Sequence, residues 1–196
     1  MSVSDDPLVF LDEEDGTAEP SADFSPPWRI LVVDDDADVH EATRFALSGI
    51  HILGRPLALL HAMSGREALE ALRTEGNIAV ILLDVVMETN DAGLTLVRHV
   101  RQQLDNRMIR IVLLTGQPGY RLQREVIAHY EIDDYRLKSD LSADKLFTCV
   151  YAELRTYQAL YQKDEQTAHL RDLRQKSLEL LDIFRAFRPY LTGPVL

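Results

Sequence analysis

Cysteine is nearly absent from this sequence, and long apolar runs and an N-terminal targeting segment are missing. The single cysteine, Cys149, cannot form a disulfide within the chain, which is typical of a reducing compartment. Its place in a helical pattern, with no histidine nearby in sequence, favours a small packing residue over a nucleophile. No stretch reaches the roughly 18 apolar residues that a membrane-spanning helix needs, and no secretory signal is recognisable. We therefore expect a cytoplasmic protein that does not contact a membrane.

Basic residues are missing from the N-terminal part of the chain, which makes the net charge of −11 uneven. Residues 1–27 hold eight of the 32 acidic residues and none of the 21 Lys and Arg residues, so 24 acidic and 21 basic residues remain in 28–196. Four of the eight prolines also lie in 1–27. Such a composition does not offset the entropy of ordering, so we predict that 1–27 is a disordered acidic tail. The nearly balanced remainder has no basic stripe, and we expect no direct contact with nucleic acid.

From Trp28 onward, strand-like and helical patterns alternate five times. The predicted strands lie at about 29–33, 57–62, 78–83, 109–114 and 133–137. The predicted helices lie at about 37–48, from Ser64 to Leu72, at about 92–104, at about 120–129 and from Ser142 onward. Ser64, with Glu67 three residues on, and Ser142 are predicted to be the N-terminal caps of their helices. This alternation predicts an α/β fold with a doubly wound parallel sheet. Five strands favour the flavodoxin-like strand order 2-1-3-4-5, with its ligand crevice between strands one and three.

Two of these helices have apolar residues at helical spacing. The face predicted for the first helix consists of Val39, Ala42, Thr43, Ala46 and Leu47. The face predicted for the third helix consists of Leu94, Val97, Val100 and Leu104.

Reactive side chains stand at the ends of the predicted strands. Asp34 and Asp35 follow the first strand, Asp84 follows the third, Thr115 follows the fourth, and Lys138 follows the fifth. Ligands of such sheets bind outside the carboxyl ends of the strands, where these groups converge. Taken alone, Asp84 would fit a turn cap better than a site; the other strand ends make a site the better interpretation.

The chemistry of this set points to phosphoryl transfer. Carboxylates at close quarters repel each other unless a cation or a proton intervenes. A cluster rich in oxygen, without His or Cys, suits Mg²⁺ better than zinc. A lysine and a hydroxyl beside a metal ion can stabilise charge on a phosphoryl group, and a carboxylate can be the nucleophile.

Residues 28–150 resemble the receiver domain of bacterial two-component response regulators, the CheY-like family. The resemblance rests on four motifs in the family's order and spacing: VVDDD at 32–36, LLDVVM at 82–87, LLTG at 113–116 and YRLK at 135–138. It implies a module that accepts a phosphoryl group from a sensor histidine kinase or a phosphotransfer protein. Such a module is not an enzyme for a separate substrate; any output enzyme would be a different part.

The resemblance also assigns the metal ligands. Asp84 is implied to be the phosphoacceptor and to share Mg²⁺ with the acidic pair. Asp35 is implied to be a direct ligand, Asp34 to act through water, and the backbone carbonyl of Val86 to supply a further ligand.

The remaining roles follow by position in the same way. Thr115 and Lys138 are implied to bind the phosphoryl group. Tyr135 takes the place of the aromatic switch residue, which turns toward the core when the site is phosphorylated.

Two positions beside the site depart from the family pattern. Glu88 stands where a proline is usual, and the Asp-Gly pair of that loop becomes Asp91-Ala92-Gly93, one residue later. Ser139 replaces the proline that normally follows the lysine, so we expect an ordinary trans peptide bond there. The segments TGQPG, METNDAG and YQAL resemble receivers that precede signalling output domains, including cyclic-dinucleotide enzymes.

Other classes fit less well. A haloacid-dehalogenase-type phosphatase requires a second aspartate two residues after the nucleophile, where this chain has Val86. A dinucleotide-binding domain requires G-x-G-x-x-G after the first strand. A pseudo-receiver that is never phosphorylated and acts through its C-terminal helix stays open, although the retained Asp34, Asp35, Asp84, Thr115 and Lys138 argue against it.

The helical pattern continues far beyond a minimal receiver. The first part of the pattern consists of Phe147, Val150, Leu154, Tyr157 and Tyr161. The second part consists of Leu170, Leu173, Ser177, Leu180, Phe184, Phe187 and Leu191. We predict that 151–196 forms a coiled-coil-like extension that mediates a homodimer. A helix packed back on its own domain, or one that leads to an output domain, is the alternative.

Overall fold

The fold was analysed in a computed structural model, which describes residues 25–116 and 130–191. Side chains are described as far as Ile183 and at Arg185. The strands are β1 (Trp28–Val33), β2 (His51–Ile52), β3 (Arg55–Ala62), β4 (Ile78–Asp84), β5 (Arg110–Thr115) and β6 (Asp134–Leu137). The helices are α1 (Ala37–Leu47), α2 (Gly65–Thr74), α3 (Ala92–Arg98) and α4 (Ala143–Leu191). The helix predicted at 120–129 and most of the predicted acidic tail lie outside the described residues.

The strands form one sheet in the order β2-β3-β1-β4-β5-β6. The strands β3, β1, β4, β5 and β6 are parallel, which confirms the predicted order 2-1-3-4-5. The short β2 was not predicted; it pairs antiparallel with β3 at the edge. Leu53 and Gly54 join the two strands with φ angles of 52° and 77°. Two consecutive positive φ angles are typical of the tight turns that connect hairpin strands.

The sheet lies between two layers of helices and buries a core on each face. All seven residues of β4 are buried, as a strand covered on both faces requires. On one face the core includes residues of α2 and α3. On the other face it includes residues of α1 and α4.

The inward stripe of α1 differs from the predicted one. The buried residues are His40, Thr43 and Leu47, whereas Ala42 is exposed. The prediction was wrong at Ala42 because it placed the apolar alanine inward and left out His40, whose polar side chain takes an inward position. The buried set keeps helical spacing, with a histidine in a position that the pattern would give to an apolar residue.

The third helix also departs from its prediction at its C-terminal end. α3 ends at Arg98, and a π-helical turn follows at His99–Gln103. A π-helical turn contains one residue more than an α-helical turn, which changes the direction in which the following side chains point. Leu104, predicted to face inward, is 41% exposed, and Arg101 is buried instead.

Arg101 belongs to a largely buried ion cluster at the amino-terminal ends of β5 and β6, here called the Arg101 cluster. It consists of Arg101, Asp133, Arg110 and Glu153. Asp133 binds Arg101 at 2.8 Å and Arg110 at 2.7 Å, and Arg110 also binds Glu153 at 2.8 Å. Because Glu153 lies on α4, the cluster fastens that helix to the sheet.

The C-terminal helix α4 is continuous over 49 residues. It begins after Ser142, whose hydroxyl accepts a hydrogen bond from the Lys145 N–H at 3.4 Å, so the predicted cap is confirmed. In the first part of the helical pattern, Val150, Leu154 and Tyr157 are buried against the domain. Phe147 and Tyr161, which share their spacing, are exposed. The remaining inward positions are taken by Leu146, Cys149 and Glu153.

Cys149 is buried against the sheet. Burial, reinforced by the charge of Asp134, raises the pKa of the Cys149 thiol to about 12. A thiol that stays protonated is a poor nucleophile, as expected for a packing residue.

Beyond Tyr157, most of the large apolar side chains of α4 that the structure describes are exposed. They are Tyr161, Leu170, Leu173, Leu178, Leu180, Leu181 and Ile183. Within the described parts of the chain, no helix combines the length and the apolarity needed to cross a bilayer.

Candidate functional site

The carboxyl ends of four parallel strands carry the polar residues that the sequence singled out. Asp34 follows β1, Asp84 ends β4, Thr115 ends β5, and Lys138 follows β6. The strand register places Asp84 beside Leu114, and Thr115 beside Leu137. These residues therefore meet at the carboxyl-terminal end of the parallel strands, as predicted.

Lys138 bridges the two buried carboxylates at this end of the sheet, those of Asp34 and Asp84. Its Nζ lies 2.7 Å from Oδ2 of Asp34 and 2.8 Å from Oδ2 of Asp84. Asp34 is 1% exposed and Asp84 is 5% exposed. The ammonium group thus offsets part of the repulsion between two carboxylates that have little contact with water.

The electrostatics of the bridge follow from burial and pairing. Burial raises the pKa of Asp84, and the hydrogen bond and charge of Lys138 offset only part of this effect. Burial lowers the pKa of Lys138, but the hydrogen bonds and charges of Asp34 and Asp84 outweigh it and raise the pKa overall. The lysine is therefore charged, while Asp84 holds a proton more readily than an ordinary aspartate.

A third carboxylate completes an oxygen-only cluster. Asp34, Asp35 and Asp84 each offer an oxygen atom, and these oxygen atoms all lie within 4.8 Å of one another. Three carboxylates face a single ammonium, so the cluster keeps negative charge that a cation can neutralise. Hard oxygen donors without nitrogen or sulfur fit Mg²⁺. The residues present thus suit the metal ion that the sequence predicted.

Val86 lies half-buried directly after the strand end, and its N–H donates a hydrogen bond to Oδ1 of Asp84 at 3.4 Å. This contact holds the Asp84 side chain against its own loop. The role implied for the Val86 carbonyl stays a prediction.

Thr115 and Tyr135 lie on neighbouring strands next to the cluster. Thr115 is buried at the end of β5. Tyr135 packs against the core on the α2–α3 face of the sheet. Its hydroxyl is buried and has no hydrogen-bond partner among the residues that the structure describes. A buried hydroxyl without a partner is costly, so this position of Tyr135 is not the best one for the hydroxyl.

Gly93 lets α3 approach the end of β4. Its N–H donates to the Val85 carbonyl at 3.1 Å. A Cβ atom at this position would overlap the Asp84 carbonyl oxygen and lie 2.9 Å from the Val85 Cα. The extra residue in the loop therefore still places a glycine where the helix touches the strand backbone.

Glu88, the unusual residue of that loop, binds the start of α2. Its Oε1 accepts a hydrogen bond from the Gly65 N–H at 3.0 Å. The predicted cap of α2 is present, since the Ser64 hydroxyl accepts from the Glu67 N–H at 3.2 Å. The loop after Asp84 is thus anchored to a neighbouring helix by a contact that no sequence pattern indicated. The bond after Lys138 is trans as expected, because no peptide bond of the described residues is cis.

A pair of histidines lies on the other side of the cluster, and sequence reasoning missed it. His40 Nε2 lies 2.8 Å from the backbone oxygen of Asp34, and His40 Nδ1 lies 2.8 Å from His61 Nδ1. Burial lowers the pKa of His61, and the nearby His40 and Arg44 lower it further. The only signal in the sequence was that His40 falls in the inward spacing of α1.

Residues 30–150 match the family model of the response regulator receiver domain. Among curated proteins, 140 residues of the chain are 47% identical to a 3'3'-cGAMP-specific phosphodiesterase 2 from Vibrio cholerae. They make up 71% of this chain and 27% of that protein. The response regulator MprA from Mycolicibacterium vanbaalenii is 36% identical over 129 residues, which are 66% of this chain and 51% of the relative. The chain thus spans about a quarter and about half of these two relatives.

Solved structures show the same fold at low identity. The signal receiver domain of an HD domain-containing protein from Pseudomonas fluorescens matches with a TM-score of 0.59 and 23% identity, covering 68% of this chain and 99% of that one. A CheY-like receiver domain protein from Methanospirillum hungatei matches with a TM-score of 0.57 and 18% identity, covering 68% and 98%.

Proposed function

We propose, from the premise that this chain belongs to the response regulator receiver domain family, that Asp84 is its phosphoacceptor. The phosphoryl group would come from a phosphohistidine of a sensor kinase or of a phosphotransfer protein. The observation that carries this proposal is the bridge of Lys138 between the buried carboxylates of Asp34 and Asp84, beside Asp35.

The reaction is a direct displacement. A carboxylate oxygen of Asp84 forms a bond to phosphorus, and the bond from phosphorus to the donor's imidazole nitrogen breaks. The leaving nitrogen keeps the electron pair. Burial of Asp84 at the strand end holds the nucleophile in place and keeps most water away from it.

Lys138 and Thr115 act on the phosphoryl oxygens. The ammonium that now bridges two carboxylates forms an ion pair with the transferred group, and the Thr115 hydroxyl donates a hydrogen bond to it. Asp34, Asp35, Asp84 and the carbonyl of Val86 would hold Mg²⁺. When bound, this ion neutralises negative charge on the nucleophile and on the phosphoryl group.

Tyr135 would report the state of the site. If Thr115 moves toward the phosphoryl group, space opens beside it, and the Tyr135 ring turns within the core. The unpartnered hydroxyl of Tyr135 supports this role, because the ring can turn without breaking a hydrogen bond of that hydroxyl. Phosphorylation can shift the equilibrium between two positions only by interacting differently with each.

The test is labelling with acetyl phosphate and Mg²⁺, measured by intact mass. The wild-type chain should gain one phosphoryl group, and the Asp84→Asn variant should gain none. Asp91→Asn is the matched control, since it removes an exposed carboxylate from the same loop and should label normally. Labelling of Asp84→Asn at the wild-type level would refute the assignment. A folded wild-type chain that binds Mg²⁺ but never labels would favour the pseudo-receiver alternative.

For the C-terminal helix, we propose a homodimer through a coiled-coil seam. Leu173, Ser177 and Leu180 follow the 3/4 spacing of such a seam, and both leucines are exposed on the single helix. On this proposal 28–150 is the receiver, 151–196 is the dimerising extension, and 1–27 is an acidic tail. A second copy of the helix would cover the exposed leucines.

The dimer is tested by light scattering on the whole chain, with and without a phosphoryl mimic. Leu180→Lys should lower the mass toward that of a monomer, because it puts a charge in the seam. Gln175→Lys adds the same charge to the same helix outside the seam and should leave the mass unchanged. A wild-type chain that is monomeric at tens of micromolar would refute the seam.

One of the comparisons also suggests which process the receiver regulates. The 47% identity to a 3'3'-cGAMP-specific phosphodiesterase covers 140 residues, more than the receiver match alone. We therefore propose that phosphorylation of Asp84 regulates the turnover of a cyclic dinucleotide. The natural gene product should hydrolyse 3'3'-cGAMP at a rate that acetyl phosphate changes, and Asp84→Asn should abolish the change. Equal rates with and without the phosphodonor would contradict this output.

A further inference from the structure

We infer that His40 is a positioning residue for the metal ligands: with His61, it holds the peptide group that joins Asp34 to Asp35. This inference rests on the proposed function, because it assumes that these two aspartates bind Mg²⁺. It adds a role for two residues that do not belong to the acidic cluster.

The geometry is that of a chain of two hydrogen bonds. His40 lies near the start of α1, is 5% exposed, and places Nε2 at 2.8 Å from the Asp34 carbonyl oxygen. Its Nδ1 lies 2.8 Å from Nδ1 of His61, and the two rings are tilted by 68° with their centroids 5.0 Å apart. His61 is on β3, where it is paired with Val32 of β1. The two hydrogen bonds therefore connect His61 on the sheet, through His40 on α1, to the loop that carries Asp34 and Asp35.

The carbonyl oxygen of Asp34 determines which ring nitrogen donates and which accepts in each histidine. A carbonyl oxygen only accepts, so Nε2 of His40 carries the proton that it donates to Asp34. In a neutral imidazole the other nitrogen is then an acceptor, and Nδ1 of His61 is its donor. Each histidine thus fixes the tautomer and the ring orientation of the next group.

The position of Asp35 depends on the same peptide group. The carbonyl of Asp34 and the N–H of Asp35 belong to one planar unit, so a rotation of the carbonyl also redirects Asp35. The N–H of Asp34 donates to the Ala62 carbonyl at 3.2 Å, and Oδ1 of Asp34 accepts from the Asp36 N–H at 3.1 Å. Those contacts hold Asp34 itself, whereas His40 holds the peptide that follows. Asp35 is exposed, so the direction of that peptide matters most for it.

The consequence is a preset arrangement of the two aspartates before the metal ion arrives. Groups that orient metal ligands without touching the ion commonly change metal affinity by about 10- to 100-fold when they are removed. Without His40, the Asp34 carbonyl would be buried without its donor and the peptide would be free to turn. The cost would appear in the affinity for Mg²⁺ and much less in the rate once the site is saturated.

The experiment titrates Mg²⁺ into the whole chain by calorimetry, without a phosphodonor, and measures labelling by acetyl phosphate over a range of Mg²⁺. His40→Phe keeps a ring of similar shape and loses both hydrogen bonds. Its Mg²⁺ affinity should fall by about tenfold or more, with a maximal labelling rate close to that of the wild type. His40→Gln keeps an N–H that can reach the carbonyl and should recover most of the affinity.

Two further variants separate positioning from a general loss of stability. Leu47→Ala removes a buried side chain at the other end of α1, so it should lower the unfolding temperature and leave the Mg²⁺ affinity unchanged. His61→Phe removes the donor to His40 and should weaken Mg²⁺ binding in the same direction by a smaller factor. It also provides the test if His40→Phe does not fold.

The outcomes are distinguishable. Wild-type affinity in His40→Phe, or in His61→Phe if the former does not fold, would overturn the positioning role alone. An equal loss of affinity in Leu47→Ala would overturn it as well, because the effect would then be general. A wild-type chain that does not bind Mg²⁺ would overturn the proposed function, and this inference with it.

Discussion

The two ends of the sheet bury charged groups in opposite ways. At the carboxyl end, Asp34, Asp35 and Asp84 face a single ammonium group from Lys138. At the amino end, the two guanidinium groups of the Arg101 cluster face two carboxylates. Every carboxylate there contacts an arginine at 2.7–2.8 Å.

The other guanidinium nitrogens of Arg101 also have hydrogen-bond partners. Arg101 donates to the backbone carbonyls of Asn106, Ile109 and Glu131. At the carboxyl end, the pKa of Asp84 is raised, which shows that its pairing does not compensate for burial. Burial of charge alone therefore does not mark a functional site in this fold. An imbalance of buried charge does, because only an unbalanced cluster gains by binding a cation or a phosphoryl group.

The largest expected effect comes from breaking the balanced end. Arg101→Met should lower the free energy of unfolding by about 3–5 kcal/mol, since it removes one of the two arginine partners of Asp133 and leaves three backbone carbonyls without the Arg101 donor. Urea denaturation measures this loss. Arg107→Met is the control: its side chain is 71% exposed and its ion pairs are 3.7 and 3.8 Å long. Equal losses in the two variants would show that the buried cluster contributes no more than a surface pair.

Neutralising a carboxylate at the carboxyl end of the sheet should have the opposite effect on the free energy of unfolding. In the metal-free protein, Asp35→Asn should leave the urea midpoint unchanged or raise it, because it relieves repulsion. Its Mg²⁺ affinity should fall by at least about tenfold, the lower end for groups that orient ligands indirectly. Calorimetry and urea denaturation on the same samples measure both effects. A lower midpoint together with normal Mg²⁺ affinity would contradict the contrast between the two ends.

Water access to the carboxyl end is expected to change the lifetime of the phosphorylated state. Val86 lies two residues after Asp84 and is half-buried and apolar, so it neither orients a water molecule nor admits one readily. Val86→Asn should speed dephosphorylation several-fold, as followed by intact mass after removal of acetyl phosphate. Val86→Leu, which adds no polar group, is the control. An unchanged or slower rate in the asparagine variant would count against this account.

The smallest expected effect is a pH dependence that only the unbalanced end shows. The pKa of Asp84 is raised in the folded state, so its contribution to stability is present below the ordinary aspartate pKa of about 3.9. This contribution is lost as the pH rises through the raised value. The difference in urea midpoint between the wild type and Asp84→Asn, both metal-free, should therefore shift in favour of the variant as the pH rises above about 4. A difference that is constant with pH would show that Asp84 titrates normally.

The fold and the acidic cluster follow from local sequence features. Apolar runs without alternation predicted the five parallel strands and their order. Residues at the carboxyl ends of parallel strands must converge, so the meeting of Asp34, Asp84 and Lys138 could be inferred without knowing the packing of any helix. The departures from the family pattern at Glu88 and Ser139 changed neither the fold nor the acidic cluster.

The contacts that sequence reasoning missed depend on packing between distant segments. Arg101 is buried because a π-helical turn points it at carbonyls of two other segments, and the same turn leaves Leu104 exposed. His40 and His61 meet only because α1 crosses the end of β3. In both cases a polar side chain occupies an inward position for which the pattern led us to expect an apolar one. Hydrophobic periodicity describes which face is buried, but not which polar groups are satisfied there.

The length of α4 has a mechanical consequence. At about 1.5 Å per residue, its 49 residues span about 73 Å, and roughly 50 Å of that length lies beyond Tyr157. Tyr157 is the last buried residue of the helix among those whose side chains are described, and it packs edge-on against Trp28. The helix is thus a lever arm whose fulcrum is formed by Glu153 and Tyr157. A tilt of about 5° at this fulcrum would move the far end by about 4 Å, an amplification set by helix length alone.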